Sequence, residues 1–202
     1  MTNFEKVIDF NKCFGHFISD KLYSNVFNEK PDLVSLKYSL IKEEVEELTE
    51  AHNNNDFIEI IDALSDIKYV LYGLACAFGI QMDNIFKKNI KEKLELAGNG
   101  EMFDYTQSNY QLVKTLRNCW FKKTDKVKTI ITKDTLELYK HLLEPTLNKI
   151  KEYNEQLNNE ITSHSMQGVS NALCSLLFSV NTYGILIGID LDESFDIVHK
   201  SN

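Results

Sequence analysis

Glycine and proline are scarce, with 8 and 2 in 202 residues. That is too few for the many tight turns of a β-sandwich or barrel. Arginine occurs once, at Arg117, and 22 basic side chains stand against 30 acidic ones for a net charge of −8. Such a surface has little to offer a nucleic-acid backbone, so no nucleic-acid partner is expected. The four cysteines, Cys13, Cys76, Cys119 and Cys174, lie far apart and form no Cys-x-x-Cys pair. Neither a zinc ribbon nor a disulfide framework is indicated, and a reducing compartment fits. The opening MTNFEKVIDF carries charge where a secretory signal needs an apolar run, which makes the cytoplasm the expected location. Charge is also missing from Ile161 to Ile189, and Ala172–Ile189 approaches the roughly 20 residues of a membrane span. Ser175, Ser179, Asn181 and Thr182 inside it, and the acidic DLDESFD that follows, favour a buried core helix instead. No membrane partner is expected.

Hydrophobic residues at 43% and aromatics at 11% are ample for a folded core. Their spacing is helical almost throughout. Apolar residues recur every third or fourth position over Phe4–Phe14, and Gly15 ends that run. Pro31-Asp32 opens a second helix that carries Leu33, Leu36, Leu40, Ile41, Val45 and Leu48 on one stripe and breaks at Asn53-Asn54-Asn55. Asp56 caps the next, with Glu59 at the capping-box position. That helix, Phe57–Phe78, is apolar nearly all round, the pattern of an element in the middle of a bundle.

The later part follows the same plan: helices over Gln107–Phe121 and Thr135–Asn159, the latter interrupted at Pro145, then a core helix from about Ser165 and a last one from Asp190. Residues 63–86 lie over 172–195 without a gap, bringing Ala63, Leu64, Gly79, Ile80, Asp83 and Phe86 onto identical residues. These coincidences suggest a duplication. The expected fold is all-α, with tandem four-helix-type repeats (1–100 and 101–202) packed as a covalent pseudo-dimer.

Glu43, Glu44, Glu46, Glu47 and Glu50 crowd one segment, and the otherwise apolar helix after it carries Glu59, Asp62 and Asp66 at spacings of three and four. Residues so spaced share a helix face. Carboxylates on an apolar helix lose hydration and repel one another unless they are compensated. The short Asn-rich turn makes the two helices antiparallel neighbours, so Glu44 and Glu47 can meet Glu59 and Asp62 across the gap. An all-oxygen set without histidine or cysteine suits Mg²⁺ or Mn²⁺. The Glu-x-x-His spacing of a di-iron bundle is absent.

These residues resemble a known family. E-E-x-x-E-L (Glu43, Glu44, Glu47, Leu48), then E-x-x-D-A-L-x-D (Glu59, Asp62, Ala63, Leu64, Asp66) and YVLYGLACAFGI, are similar to the all-α nucleoside triphosphate pyrophosphohydrolases. That superfamily includes MazG-like proteins, dimeric dUTPases and phosphoribosyl-ATP pyrophosphatases. The resemblance covers about residues 4–97, and the ending FDIVHKSN resembles the F-x-x-V-H-x-S-N segment that closes one branch.

It implies hydrolysis of a (deoxy)nucleoside triphosphate or related nucleotide to the monophosphate and pyrophosphate, with Mg²⁺ or Mn²⁺. Glu44, Glu47, Glu59 and Asp62 match the metal ligands. Glu43 sits where a carboxylate can activate water, and Asp66 is a candidate substrate contact. Lys91, Lys93, Lys200 and Asn202 are further candidates on the substrate side. In the second half Glu59, Asp62 and Asp66 become Gly168, Asn171 and Ser175, and Glu44 and Glu47 are read as Thr146 and Lys149. One live and one degenerate half are therefore expected, and a homodimer of pseudo-dimers is left open. The alternative is a non-catalytic helical module, derived from the family, that binds a nucleotide or a protein.

Overall fold

A computed structural model describes residues 1–124 and 131–201, with side chains at all of these except 120–124. Among the described residues there are ten α-helices: α1 (Asn3–Cys13), α2 (Val26–Glu29), α3 (Pro31–Asn54), α4 (Phe57–Phe78), α5 (Met82–Leu96), α6 (Asn109–Thr124), α7 (Leu136–Tyr139), α8 (Glu144–Thr162), α9 (Met166–Leu186) and α10 (Leu191–Ser201). Among the described residues there is no strand, in keeping with the all-α expectation. The long helix expected over Thr135–Asn159 is broken. Short helical turns precede Pro145, which stands in the first turn of α8 where its missing N–H costs nothing.

The two most apolar helices, α4 and α9, pack against each other at the centre, and their buried faces belong to one continuous core. Helix α9 is long and apolar enough to cross a membrane, but most of it is buried inside the protein. Around this axis the two halves interlock. Helix α5 of the first half packs on α6 and α9, and α10 of the second half packs on α4 and α1.

The interlock is polar as well as apolar. Lys68 of α4, fully buried, donates to the Leu191 carbonyl at 3.1 Å and to Asp192 at 3.3 Å. An ammonium buried this way is stable only with such acceptors around it. His52 of α3 is hydrogen-bonded to the hydroxyl of Tyr183 on α9 at 2.8 Å. Asn3 Nδ2 donates to Asp192 at 2.8 Å, and Asn109 Nδ2 donates to Asp83 at 2.7 Å. The aspartates at the starts of α10 and α5 are thus each held by an asparagine at the start of α1 or α6.

Candidate active site

The connection between α3 and α4 is made by one left-handed residue. Asn55 takes φ 56°, a conformation asparagine tolerates better than most residues. The Asn55 and Asp56 amides then donate back to the carbonyls of His52 and Ala51. Asp56 caps α4 by accepting from the amides of Ile58 and Glu59, both at 3.2 Å. The pair folds back on itself so that Glu44 faces Asp66 and, further along, Lys37 faces Gly73. A methyl group added at Gly73 would stand 3.5 Å from the Lys37 ammonium.

Glu44 and Asp66 are half-buried, while Glu43, Glu47, Glu59 and Asp62 are exposed. The helix is apolar as its sequence suggests, but its carboxylates line an edge open to water. Burial pushes the Glu44 carboxyl up to about 7, helped by the negative charges of Asp66, Glu47, Glu43 and Asp62. Asp66 is pushed up to about 6, first by burial and then by Asp62 and Glu47. The acidic residues of both helices therefore feel one another across the gap.

Glu44 Oε2 is a buried acceptor without a partner. An orphan acceptor amid mutually repelling carboxylates is chemically suited to a hard cation. Among the described residues no three His, Cys, Asp or Glu side chains already stand close enough to hold one. Glu47, Glu59 and Asp62 are exposed side chains, which change rotamer on the nanosecond scale or faster.

Beside these carboxylates lies a cavity of about 250 Å³. Glu44 and Asp66 stand at one end and Lys37 and Gly73 at the other, with Leu40, Tyr69 and Val70 between and Phe10, Asn11 and His16 contributed by α1 and the turn after it. Seven residues separate Glu44 from Lys37, about 10 Å along the helix. Tyr69 packs edge-on to Phe10 at 5.7 Å and stacks on Phe195 at 5.5 Å, and its buried hydroxyl has no partner. The His199 ring is 6.1 Å from Tyr69, and its Nδ1 is likewise buried without a partner. The second half therefore reaches the back of the cavity through α10.

The other sequence candidates lie apart from this cavity. Lys91 pairs with Glu95 at 3.8 Å on α5, and neither Lys91 nor Lys93 lines the cavity. Lys200 is exposed on α10, and Asn202 lies outside the described residues. Sequence reasoning missed Lys37, Asn11 and His16. Only Lys37 left a trace, two turns before Glu44 on one face of α3; the approach of α1 has no local signature.

In the second half the α8–α9 turn repeats the first. His164 takes φ 55°, and the His164 and Ser165 amides donate back to Ile161 and Glu160, as Asn55 and Asp56 do to His52 and Ala51. Gly79 and Gly188 end α4 and α9 at φ 67° and 72° with the same pair of backbone bonds. One displacement carries all of these onto their counterparts without a gap. It sets Tyr153 and Gln156, rather than Thr146 and Lys149, opposite Glu44 and Glu47. The earlier register fails because Pro145 stands in the first turn of α8, so Thr146 and Lys149 are near the helix start, far from the turn. Tyr153 and Gln156 are uncharged, as are Gly168 and Asn171 at the Glu59 and Asp62 positions. A side chain at Gly168, the Glu59 position, would collide with the Glu160 carboxylate.

Residues 7–93 match the model of a family described as phosphoribosyl-ATP pyrophosphohydrolase. The whole chain is 34% identical over 201 residues to Uncharacterized protein L479 of Acanthamoeba polyphaga mimivirus, spanning 70% of that protein. No solved structure matches.

Proposed function

The chain belongs to the MazG-like all-α nucleoside triphosphate pyrophosphohydrolase superfamily, and from that premise we propose that it hydrolyses a nucleoside triphosphate or related nucleotide to the monophosphate and pyrophosphate with Mg²⁺ or Mn²⁺. The observation that carries this reading is the unpartnered, half-buried Glu44 carboxylate facing Asp66, with the charges of Glu43, Glu47 and Asp62 acting on it and a nucleoside-sized cavity adjoining.

Glu44, Glu47, Glu59 and Asp62 would hold the metal. The cation, when bound, supplies charge neutralisation for the phosphates, without which an acidic rim repels them. Glu43, exposed one position before Glu44, is placed to take a proton from the attacking water. Oxygen from that water bonds to phosphorus, and the α–β bridging oxygen leaves with pyrophosphate. Asp66 sits deeper, where it faces the substrate rather than bulk water. The second half, uncharged at the matching ligand positions, backs the lining residue Tyr69 with Phe195 and His199, consistent with a duplicated chain of which one half kept its ligands.

A panel of ribo- and deoxynucleoside triphosphates and phosphoribosyl-ATP, incubated with the protein and Mg²⁺, tests the proposal by pyrophosphate release. Release that disappears in Asp62→Asn and Glu47→Gln is expected. The rival reading, a non-catalytic nucleotide-binding module, draws on the separation of the carboxylates from one another. It is favoured if nucleotides and Mn²⁺ bind and nothing is released.

A further inference from the structure

We infer that Lys37 reads the nucleobase and that the protein prefers nucleotides whose base carries a carbonyl at the position farthest from the sugar: uracil, thymine or guanine rather than cytosine or adenine. The inference rests on the proposed function, because it orients the substrate with its phosphates at the carboxylate end.

The cavity has two chemically opposite ends, Glu44 and Asp66 at one and the Lys37 ammonium at the other, about 10 Å apart along α3. With the phosphates held at the acidic end, the nucleoside lies along the α3–α4 groove and its base points at Lys37. The atom of a base most distant from the glycosidic bond is the substituent at C4 of a pyrimidine or C6 of a purine. That substituent is an oxygen acceptor in uracil, thymine and guanine, and an amino donor in cytosine and adenine.

The remaining polar groups at that end are already engaged. Asn11 donates through Nδ2 to the Val7 carbonyl at 2.7 Å, and its Oδ1 is 3.2 Å from His16 Nδ1. Lys37 has no ion-pair or hydrogen-bond partner among the described residues. Its ammonium reaches over Gly73, where the lack of a side chain leaves it room. Burial lowers its pKa, as expected of a cation short of acceptors. An ammonium has three donors and no acceptor, so it bonds to a carbonyl and opposes an amino group. Leu40, Val7 and Val70 supply apolar walls that accept any base. The Tyr69 hydroxyl both donates and accepts, and so does not discriminate. Discrimination therefore falls to Lys37.

One charged hydrogen bond is worth about 10- to 100-fold in affinity. Relative kcat/KM for dUTP, dTTP and dGTP is expected to exceed that for dCTP and dATP by at least about tenfold. Lys37→Met should collapse the ratio to within about threefold, and Lys37→Arg should keep it. A second arm reads binding without turnover, from the thermal shifts produced by UMP and GMP against CMP and AMP. Should Lys37→Met fail to melt cooperatively, Lys37→Gln takes its place, since an amide both donates and accepts.

A wild-type protein indifferent to the base, or a ratio that survives Lys37→Met, overturns the inference while leaving the hydrolase reading intact. Absence of turnover with a Lys37-dependent preference for UMP and GMP overturns the hydrolase reading and supports the base assignment. Neither turnover nor selective binding overturns both.

Discussion

The α3–α4 and α8–α9 pairs are built on one plan and differ in what they do with it. Both turn through a left-handed residue, Asn55 or His164, and both core helices end on a left-handed glycine. Ile41 and Leu48 are buried in α3, as their counterparts Ile150 and Leu157 are in α8. The first pair spends its outward edge on charge: Glu44 and Asp66 line a cavity, and Glu47, Glu59 and Asp62 are exposed on the same two helices. In the second, Tyr153, Gln156, Gly168 and Asn171 occupy the matching positions, and Glu160 fills the space above Gly168. The difference teaches that the backbone plan needs only apolar spacing and caps. The half-buried Glu44 and Asp66 carboxyls raise the energy of the metal-free protein when ionised.

The largest effect expected from breaking this asymmetry is on turnover. Asp62→Asn should reduce pyrophosphate release by about 10²–10³-fold or more. Gln156→Ala at the counterpart of Glu47 should leave it unchanged. Equal losses from the two would mean that the halves share the chemistry.

Stability provides the next contrast. Gly79→Ala puts a methyl group into the Lys21 carbonyl and forces alanine to φ 67°. A cost of about 3 kcal/mol, or roughly 6–12 °C in Tm, is expected. Gly168→Ala meets the movable tip of Glu160 and the Ser165 hydroxyl. Its melting temperature should stay within about 2–4 °C of wild type by calorimetry.

Cation binding should follow the first pair alone. Mn²⁺ at a hundredfold excess over its Kd adds about 2.7 kcal/mol to the folded state. The resulting rise in Tm should vanish in Asp62→Asn and survive in Asn171→Ala. Retention of the full rise by Asp62→Asn would remove that residue from the metal site.

The smallest effect is electrostatic and concerns the metal-free protein. Glu44 and Asp66 have raised pKa values in the fold, about 7 and 6 against ordinary values of 4.5 and 3.8. Well below pH 3.8 both are neutral, folded or unfolded, and contribute nothing. As pH rises, the unfolded chain ionises first, and the fold loses stability until about pH 7. Glu44→Gln is spared its share of that loss, so its Tm should match wild type near pH 4 and exceed it at pH 8. Both groups are half-exposed and screened by solvent, which limits the gap to about 1 kcal/mol or 2–4 °C. A constant difference across that range would mean that the Glu44 carboxyl titrates normally.

Most of the helices, the cap at Asp56 and the stop at Gly79 were legible because each depends on a few neighbouring residues. So was the antiparallel pairing of α3 with α4, since a turn as short as Asn53–Asn55 leaves the helices on either side little choice of neighbour. The register of the second half was misread where Pro145 seemed to interrupt one helix. It instead opens a new one, and the turn at His164, not the proline, sets the alignment.

By itself the sequence determined the all-α class, the boundaries of the long helices of the first half to within a residue or two, and the acidic residues those helices carry. These follow from local spacing and from hydrogen bonds closed within a few residues. Only the tertiary structure decided that α1 roofs the groove, that α10 of the other half backs Tyr69 with Phe195 and His199, and that Lys37 and Glu44 share a cavity. Such meetings depend on how distant apolar faces are buried together, and no short stretch of chain records which faces those are.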